Sequence, residues 1–401
     1  MNNKPLVTII IPVYNAENYL EENIKSVLSQ TYDNIEVIYV CDGCTDNSTV
    51  ILKRYSYDKR LRIIDRHNNV GAAASRNQGI MESKGDWLIF WDSDDIICKD
   101  AIELLVNAAI DNKADLALCS YGIAGEEELG ENDNWLFNYL KEVVPGFPLF
   151  INDKQIYDLS SMLICNAPFN KLISRKIITE GNLFFQEIKN CNDVFFSAAV
   201  FLYSERTVYV EKKVYWYRNN SIGNLSSKRT DFHSCILEAL SLVRETLLKL
   251  NYSEDVFKNY AFCEIEGYRG TKVYENLIDE YYTQYEKRWK IPLNKNCLFS
   301  PKNPVSLKGK RIVIFGAGQV GKDYFQALKA ISIIIGWIDT KVTNESIMNI
   351  SMINNMCFDY VIIATKSYYY ALQMERQLIS LGVAPQKIIM EYPRYNLITN
   401  N

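Results

Sequence analysis

The 401-residue sequence has only two histidines, no excess of basic charge and no hydrophobic run long enough to cross a membrane. Its net charge of −4, without basic runs interleaved with aromatic residues, argues against nucleic acid as a partner. The longest apolar runs, at residues 7–13 and 331–338, are strand-length, whereas a membrane span needs roughly 20 residues. Residues 1–5 do not resemble a signal peptide. We therefore expect a cytoplasmic protein.

The sequence also lacks the cysteine and histidine pattern of a zinc or disulfide framework. Its ten cysteines are scattered, which is typical of reduced and mostly buried thiols. Cys41 and Cys44 form one Cys-x-x-Cys, but no second pair follows, and the only histidines are His67 and His233. Metal or redox use of this pair is therefore the minor alternative.

Strand and helix signals alternate over the first 120 residues. Two β-branched runs flank a segment with helical apolar spacing, for which Asn15 is the expected N-cap. Further strands are expected at 61–64, 87–91 and 115–119, and further helices at 47–55, 72–83 and 100–112. This order predicts an α/β fold with a parallel sheet that is covered on both faces and binds ligands at its carboxyl ends.

An apolar strand signal ends abruptly after residue 91 in three acids, Asp92, Asp94 and Asp95. Clustered carboxylates at a strand end favour a hard divalent cation, which usually also holds phosphate. A metal with a nucleotide diphosphate is therefore the first hypothesis. The alternative is a plain turn, or a cap for the helix expected near Asp100.

Five ordered segments resemble the family 2 glycosyltransferases of the GT-A fold, a Rossmann-like mixed α/β fold that binds nucleotide-sugars. The segments are residues 7–15, 26–31, 42–46, 69–77 and 92–95. The resemblance extends more loosely to about residue 230 and does not include the C-terminal part. It implies a nucleotide-sugar donor, a divalent cofactor such as Mn²⁺ or Mg²⁺, and inversion at the anomeric carbon.

The resemblance also implies roles on the donor side. Asp94 matches the metal ligand, Asp92 lies near the donor ribose, and Asp95 is left undecided. The other residues matched to the nucleotide are Pro12, Val13, Tyr14, Asp42, Arg76 and Ser93.

Three of these donor residues have alternatives that the sequence leaves open. Asp42 matches the position that contacts the base, expected to be uracil, but it could instead form an Asx-turn. Tyr14 borders the base or is a core aromatic. Arg76 matches a residue facing the diphosphate, which a guanidinium can meet at two oxygens, or it forms a surface ion pair.

Inverting transfer needs a base that takes the proton of the acceptor hydroxyl. Asp193 is the candidate, because its segment resembles one in which Glu-Asp precedes two apolar residues; the alternative is a helix cap. Lys171 lies in a segment resembling the acceptor side and could equally be a solvated charge. Arg218 and Ser221 resemble residues of a loop that reaches the diphosphate. Asn192 stands where the family more often has Glu.

A second motif opens the C-terminal part. An apolar run leads into Gly316, Gly318 and Gly321 at the spacing of a dinucleotide fingerprint, and Asp339 follows where a ribose-binding acid would lie. Residues 305–401 are too few for a complete dehydrogenase, so a structural, acceptor-handling or oligomer-forming role is favoured. A bound nucleotide or NAD remains the alternative.

We therefore predict a GT-A catalytic domain at residues 1–230, a helical extension and linker at 231–304, and a Rossmann-like accessory domain at 305–401. The predicted reaction is metal-dependent, inverting transfer of a sugar from a UDP-sugar. The acceptor is a hydroxyl of a cell-surface glycan, a lipid-linked oligosaccharide or a glycoprotein. The rival hypotheses are an NAD- or nucleotide-binding oxidoreductase or sensor, and an inactive scaffold that keeps the fold.

An aromatic stripe in the helical extension bears on membrane contact. Tyr281, Tyr282, Tyr285 and Trp289 fall on one side of a helix, close to basic residues. Such a stripe could rest on the inner face of a membrane that carries a lipid-linked acceptor, although core packing is the default expectation.

Overall fold

The computed structural model describes most of the chain. The described residues are 4–124, 149–151, 167–218, 232–254, 256–257, 260–261, 264, 284, 287–289, 299–301, 304–340, 347–365, 368–390 and 394–395. They form two compact units, Met1–Ile278 and Asp279–Asn401. The predicted boundaries at residues 230 and 304 stay predictions, and most of the aromatic stripe at 281–289 lies outside the described residues. Within those residues, none of the helices could span a membrane.

The first unit alternates strands and helices as the sequence predicted. Its described strands are β1 (Val7–Val13), β2 (Ile35–Asp42), β3 (Leu61–Arg66), β4 (Trp87–Phe90), β5 (Ile96–Ile97), β6 (Leu116–Ile123), β7 (Leu149–Ile151), β8 (Lys171–Ser174) and β9 (Arg206–Tyr217). Its described helices are α1 (Leu20–Leu28), α2 (Ser48–Arg54), α3 (Ala72–Glu82), α4 (Ala101–Asp111), α5 (Arg175–Gly181), α6 (Val194–Tyr203) and α7 (Phe232–Lys249).

These strands form one nine-stranded mixed sheet in the order β3-β2-β1-β4-β8-β6-β9-β5, with β7 also on β9. The first four strands are parallel, as predicted. Strand β8 then runs antiparallel to both β4 and β6, while β6 and β9 are parallel. The structure thus confirms a mixed α/β sheet and shows that the purely parallel expectation applies to its first half only.

The packing of the first half follows from its apolar pattern. Six of the seven residues of β1 are buried, as expected for a strand covered on both faces. Helix α1 buries Leu20, Asn23, Ile24 and Val27, which share one face at helical spacing. The predicted N-cap at Asn15 is wrong. Asn15 has a left-handed φ of 48° and bonds Thr45, and α1 begins only at Leu20.

The second unit is a smaller α/β unit. Its described elements are β10 (Phe299–Ser300), β11 (Arg311–Phe315), α8 (Gln319–Leu328), β12 (Ile333–Asp339), β13 (Met348–Asn349), β14 (Tyr360–Ile363), α9 (Tyr368–Ser380), β15 (Ile388–Ile389) and β16 (Arg394–Tyr395). Five strands form a parallel sheet in the order β13-β12-β11-β14-β15, and β10 pairs with β16. Such a centre-outward order is the Rossmann-like arrangement that the glycine motif predicted.

Candidate active site

The acidic turn of residues 92–95 follows β4 at the carboxyl end of the parallel half of the sheet. The three acids differ in environment. Asp92 keeps 29% of its side chain exposed, Asp94 is half-buried, and Asp95 is fully buried. The turn is therefore more than a connection to α4. Asp100 does occupy the N-cap position of that helix, but its side chain makes no capping hydrogen bond.

A buried asparagine on α1 holds this turn. The side-chain nitrogen of Asn23 donates to the main-chain oxygens of Asp92 at 3.0 Å and Asp95 at 2.9 Å. Its side-chain oxygen accepts from the hydroxyl of Tyr39 at 3.0 Å. The hydrogen bonds to Asp95 and Tyr39 are buried, where an unmade hydrogen bond is costly. Asn23 thus ties the path of the acidic turn to helix α1 and strand β2.

Tyr215 on β9 holds the turn from the other side. Its hydroxyl donates to the carboxylate of Asp95 and accepts from the amide of Asp92 at 3.2 Å. Burial, together with the negative charges of Asp92 and Asp94, raises the pKa of Asp95 to about 8. Burial likewise raises the pKa of Tyr215 well above its ordinary value. Asp95 therefore serves the architecture of the turn through its buried carboxyl group.

Arg218 closes the turn at its outer side. Its amide donates to the Asp95 carboxylate at 2.6 Å, and its Nε donates to the main-chain oxygen of Asp94 at 2.9 Å. The guanidinium also pairs with Glu22 at 2.9 Å and lies over the ring of Tyr19. The structure thus brings Arg218 to the acidic turn, where its predicted contact with a diphosphate stays a prediction. Ser221 lies outside the described residues.

Asp42 ends β2 and is 2% exposed. Its carboxylate accepts from the amides of Val70 at 3.0 Å and Gly71 at 2.7 Å, so it fixes the loop before α3 and not an Asx-turn. Gly43 makes this approach possible, because a Cβ there would lie 2.6 Å from the amide nitrogen of Asn69, and its φ is +65°. Contact between Asp42 and a base stays a prediction.

Arg76 lies on α3 with only 9% of its side chain exposed, so the alternative of a surface ion pair is wrong. Its Nη2 bonds the Asp92 carboxylate at 2.6 Å, and its guanidinium lies over the ring of Phe185. Among the described residues, three buried donor atoms of this region have no hydrogen-bond partner: Arg76 Nε, Ser75 Oγ and Arg66 Nη1. Unmet buried donors are rare and suggest an acceptor that is supplied from outside the chain.

The remaining donor-side residues lie at the end of β1 and within the acidic turn. Tyr14 is 51% exposed, which makes its core alternative wrong and leaves the ring accessible. Val13 is fully buried, so its side chain belongs to the core. Pro12 and Ser93 are half-buried. Nucleotide contacts of these four residues stay predictions.

Cys41 and Cys44 flank Asp42 and Gly43 at the same edge. The hydrogen bond from Cys41 is the main cause that lowers the pKa of Cys44 to about 7, and the Cys44 thiol also lies 3.4 Å from the main-chain oxygen of Val13. This same hydrogen bond, and then burial, raises the pKa of Cys41. The pair is therefore a thiol pair with one acidic member at the rim of the site.

The acceptor-side candidates lie in the second half of the unit. Asp193 occupies the N-cap position of α6, but its side chain makes no capping hydrogen bond there. Cys191, two residues before Asp193, has a left-handed φ of 58°. Lys171 is 1% exposed and its Nζ donates to the oxygens of Ala167 and Asn170 at 2.8 and 2.7 Å. The solvated-charge alternative for Lys171 is therefore wrong.

The glycine motif of the second unit adopts the predicted geometry. A Cβ at Gly321 would lie 1.9 Å from the main-chain oxygen of Gly316, whose φ is +120°. A Cβ at Gly318 would have no heavy atom within 4 Å, so this position is open. Asp339 accepts from the amide of Ala317 at 2.7 Å. The structure thus brings these glycines and Asp339 together, and a ligand there stays a prediction.

Two important residues, Asn23 and Tyr215, were missed by the sequence predictions. Asn23 carried a detectable signal, because it interrupts the apolar stripe of α1 at a position that must be buried. Tyr215 carried none, since an aromatic residue in a strand is ordinarily core.

The comparisons with known proteins agree with this architecture. Residues 8–180 match the family described as "Glycosyl transferase family 2", and residues 308–389 match "C2185-like, N-terminal". Two relatives come from Streptococcus pneumoniae serotype 4. Glycosyltransferase GlyA is 34% identical over 60% of this chain, but the match spans only 34% of GlyA. Glycosyltransferase GlyG is 30% identical over 68% of this chain and 91% of GlyG.

A solved structure shows the same fold. The crystal structure of residues 1–349 of S. aureus TarS in complex with UDP-GlcNAc matches with a TM-score of 0.57 at 18% identity, over 70% of this chain and 80% of that one. Three findings agree: the match to GlyG covers nearly its whole length, residues 8–180 match the family, and the fold is shared with TarS. The chain therefore belongs to glycosyl transferase family 2 and has the GT-A fold.

Proposed function

We propose that this chain transfers a sugar from a nucleotide-sugar, with a UDP-sugar as the favoured donor, to a hydroxyl group of an acceptor. The observation that carries the proposal is the buried Arg76 guanidinium, which bonds Asp92 and has an unpartnered Nε. A buried cation with an unmet donor beside the carboxyl ends of parallel strands suits a diphosphate. The TarS structure, which contains UDP-GlcNAc, supports a UDP-sugar.

The donor would lie across the parallel half of the sheet. Arg76 would meet diphosphate oxygens, and Asp92 would exchange part of its pairing with Arg76 for ribose hydroxyls. Tyr14, half exposed at the end of β1, would border the base. The Asp42 carboxylate, which two backbone amides hold in place, would accept a hydrogen bond from a ring N–H of the base. Pro12, Val13 and Ser93 would contribute mainly through their backbone.

The acidic turn fits a divalent cation that also binds the donor. Among the described residues, no three His, Cys, Asp or Glu side chains are placed to hold a metal alone. Asp95 is bonded to Tyr215 and Arg218, and Asp92 to Arg76. We assign the metal to Asp94, which is half-buried in the turn and matches the metal ligand that the resemblance implies. Mg²⁺ usually takes one or two carboxylates plus substrate phosphates, so this donor set fits. The bound Mn²⁺ or Mg²⁺ would supply positive charge to the leaving diphosphate.

Inversion requires the acceptor oxygen to attack the anomeric carbon from the side opposite the diphosphate. We assign the acceptance of its proton to Asp193, which occupies the N-cap position of α6 and matches the family segment that carries an acid before two apolar residues. The acceptor would be a cell-surface glycan, a lipid-linked oligosaccharide or a glycoprotein. A lipid-linked acceptor would bring the chain to the cytoplasmic face of a membrane.

The experiment is a thermal-stability screen of UDP-, GDP- and dTDP-sugars with Mn²⁺ and with EDTA, followed by hydrolysis assays. We expect metal-dependent stabilisation and slow hydrolysis with UDP-sugars. Asp94→Ala should remove both, while Asp111→Ala, at the distant end of α4, should keep both. Metal-dependent donor binding and turnover that persist in Asp94→Ala would show that the metal assignment is wrong.

For the second unit we propose an accessory role. Asp339, the acid that the glycine motif predicted, already braces the loop through the amide of Ala317, which supports a structural function. A rival role in NAD binding predicts NADH affinity that Gly318→Trp removes. Calorimetry with NADH on the wild type and on this variant separates the two.

A further inference from the structure

Cys41 and Cys44 are a pair of nucleophilic side chains that the proposed sugar transfer does not use. Cys41 is the last residue but one of β2, and its fully buried side chain belongs to the hydrophobic core that this strand shares with α1 and α2. Cys44 is half-buried and packs against the same core. Neighbouring residues of a strand point to opposite faces of the sheet, so the Asp42 carboxylate lies on the other face from the Cys41 thiol.

The two thiols are in contact. A hydrogen bond joins their sulfur atoms, and it is the main cause that lowers the pKa of Cys44 to about 7. Only two residues separate the cysteines in the chain, and one of them is Gly43, whose φ of 65° turns the backbone. A disulfide needs its sulfurs at about 2.05 Å, which is a short approach for a pair already in hydrogen-bond contact.

The surroundings of the pair favour redox chemistry over metal binding. Within the part of the chain that the structure describes, no three His, Cys, Asp or Glu side chains are grouped to hold a metal ion. The exposure of the two sulfurs also differs in the way that a peroxide reaction needs. A peroxide can reach the half-buried Cys44, whereas Cys41 is shielded and can react only with its partner.

We propose that Cys41 and Cys44 form a reversible disulfide when the protein meets a hydroperoxide, and that this disulfide weakens nucleotide binding. The Cys44 thiolate attacks one peroxide oxygen, the O–O bond breaks, and the leaving oxygen takes up the proton that Cys44 has lost. The Cys41 sulfur then attacks the sulfur of the resulting sulfenic acid, the S–O bond breaks, and the departing hydroxide takes the Cys41 proton as water. The two thiols lose two electrons, and the peroxide gains them.

The disulfide acts on the nucleotide site through the loop that follows β2. The Cys44 thiol donates to the main-chain oxygen of Val13 at 3.4 Å, and the amide of Thr45 donates to the side chain of Asn15 at 2.8 Å. These two bonds flank Tyr14, the residue proposed to border the base. A disulfide draws the Cys44 sulfur toward its partner and removes its proton, so the bond to Val13 is lost. The loss of affinity rests on the proposed function, whereas the disulfide does not.

The test treats the full chain with hydrogen peroxide at neutral pH and then blocks the remaining thiols of the denatured protein with N-ethylmaleimide. Trypsin releases residues 26–53, which contain both cysteines of the pair and no other cysteine. We expect this peptide to lose two hydrogen atoms and to take up no maleimide. In calorimetry with Mg²⁺, oxidation should weaken UDP affinity about fivefold or more. Dithiothreitol should reverse all of these changes.

Two variants isolate the pair from other effects of peroxide. Cys44→Ser keeps a donor for the Val13 oxygen but cannot form the disulfide, so peroxide should leave its UDP affinity within about twofold. Cys357→Ala removes an exposed thiol of the second unit and is the matched control. It should respond to peroxide as the wild type does.

Hydrogen exchange measures the loop without a nucleotide. The amides of Ala16 and Glu17 donate to the side chains of Ser48 and Asp46, which follow the pair in the chain. We therefore expect faster exchange at residues 13–17 in the oxidised protein than in the reduced one. A reduced wild type that shows this change but binds no UDP would refute the proposed function and support the disulfide.

Three results would overturn the proposal. The first is a peptide 26–53 that takes up two maleimides after peroxide treatment. The second is a complete disulfide with unchanged UDP affinity in a protein that binds UDP when reduced. The third is a complete disulfide with unchanged hydrogen exchange at residues 13–17.

Discussion

Asn23 and Asp95 are joined by a 2.9 Å hydrogen bond between a fully buried side-chain amide and a main-chain oxygen of the acidic turn. The same amide group reaches Asp92. One residue of α1 therefore sets the backbone path of the turn on which the metal and donor assignments depend. We call it a positioning residue, because its partners are main-chain atoms and Tyr39.

Asn23→Ala should lower both the free energy of unfolding and the rate of UDP-sugar hydrolysis. It removes the hydrogen bonds of Asn23 to the main-chain oxygens of Asp92 and Asp95 and to the Tyr39 hydroxyl, which should lower the free energy of unfolding by about 1–3 kcal/mol. Urea unfolding measures this loss, and UDP-sugar hydrolysis should fall in parallel. Asn34→Ala, an exposed asparagine that bonds Lys4, is the control and should change neither. Full hydrolysis in Asn23→Ala would contradict the positioning role.

Tyr215→Phe isolates one hydroxyl group. It removes one of the two described donors to the Asp95 carboxylate and the acceptor of the Asp92 amide, but it keeps the ring that stacks on Phe169. We expect an unfolding free energy lower by about 1–3 kcal/mol and a weaker metal-dependent response to UDP. Tyr209→Phe, in the same strand, removes a buried hydrogen bond to Ser120 and is the matched control. Equal effects on UDP binding in both variants would mean that Tyr215 acts only on stability.

Arg76→Lys tests the guanidinium rather than the charge. Lysine keeps a cation near Asp92 but loses the second donor, Nε, so it cannot meet two phosphate oxygens in one plane. UDP affinity in calorimetry should fall about tenfold, which corresponds to about 1.4 kcal/mol. Arg62→Lys, whose partner is Glu82 at the surface, is the control. Unchanged UDP affinity in Arg76→Lys would remove this residue from the diphosphate site.

The acidic thiol of Cys44 predicts a pH-dependent reaction. Since a hydrogen bond from Cys41 lowers the Cys44 pKa to about 7, its thiolate forms as pH rises through that value. Alkylation by iodoacetamide, followed by mass spectrometry in a Cys357→Ala background, should show a midpoint near pH 7. Cys41→Ala removes the donor and should move the midpoint upward, whereas Cys41→Ser should move it less. A wild-type midpoint near pH 9 would contradict the assignment.

Much of the fold could be predicted because it depends on local pattern. The apolar strands of the first half and the glycine spacing before α8 are visible in the chain and match the structure. The N-cap of α1 could not be predicted from propensity. Asn15 is a good capping residue, but its side chain is used by Thr45, 30 residues away.

The environment of single side chains could not be predicted at all. Lysine is usually a surface residue, yet the fold buries Lys171 against Ala167 and Asn170. An aromatic residue after an apolar strand is often part of the core, yet Tyr14 is half exposed at the end of β1. Burial is decided by which distant segments come together, and one sequence contains no record of those distances.

The sequence by itself determined the family, the α/β order of the elements and the presence of three acids after β4, because these depend on neighbouring residues and on ordered motifs. Only the tertiary structure decided how the acids differ. Asp95 is buried against Tyr215 and Arg218, Asp92 pairs with Arg76, and Asp94, the proposed metal ligand, is half-buried. The reason is physical: a carboxylate's charge state and partners follow from burial and from groups that lie far away in the chain.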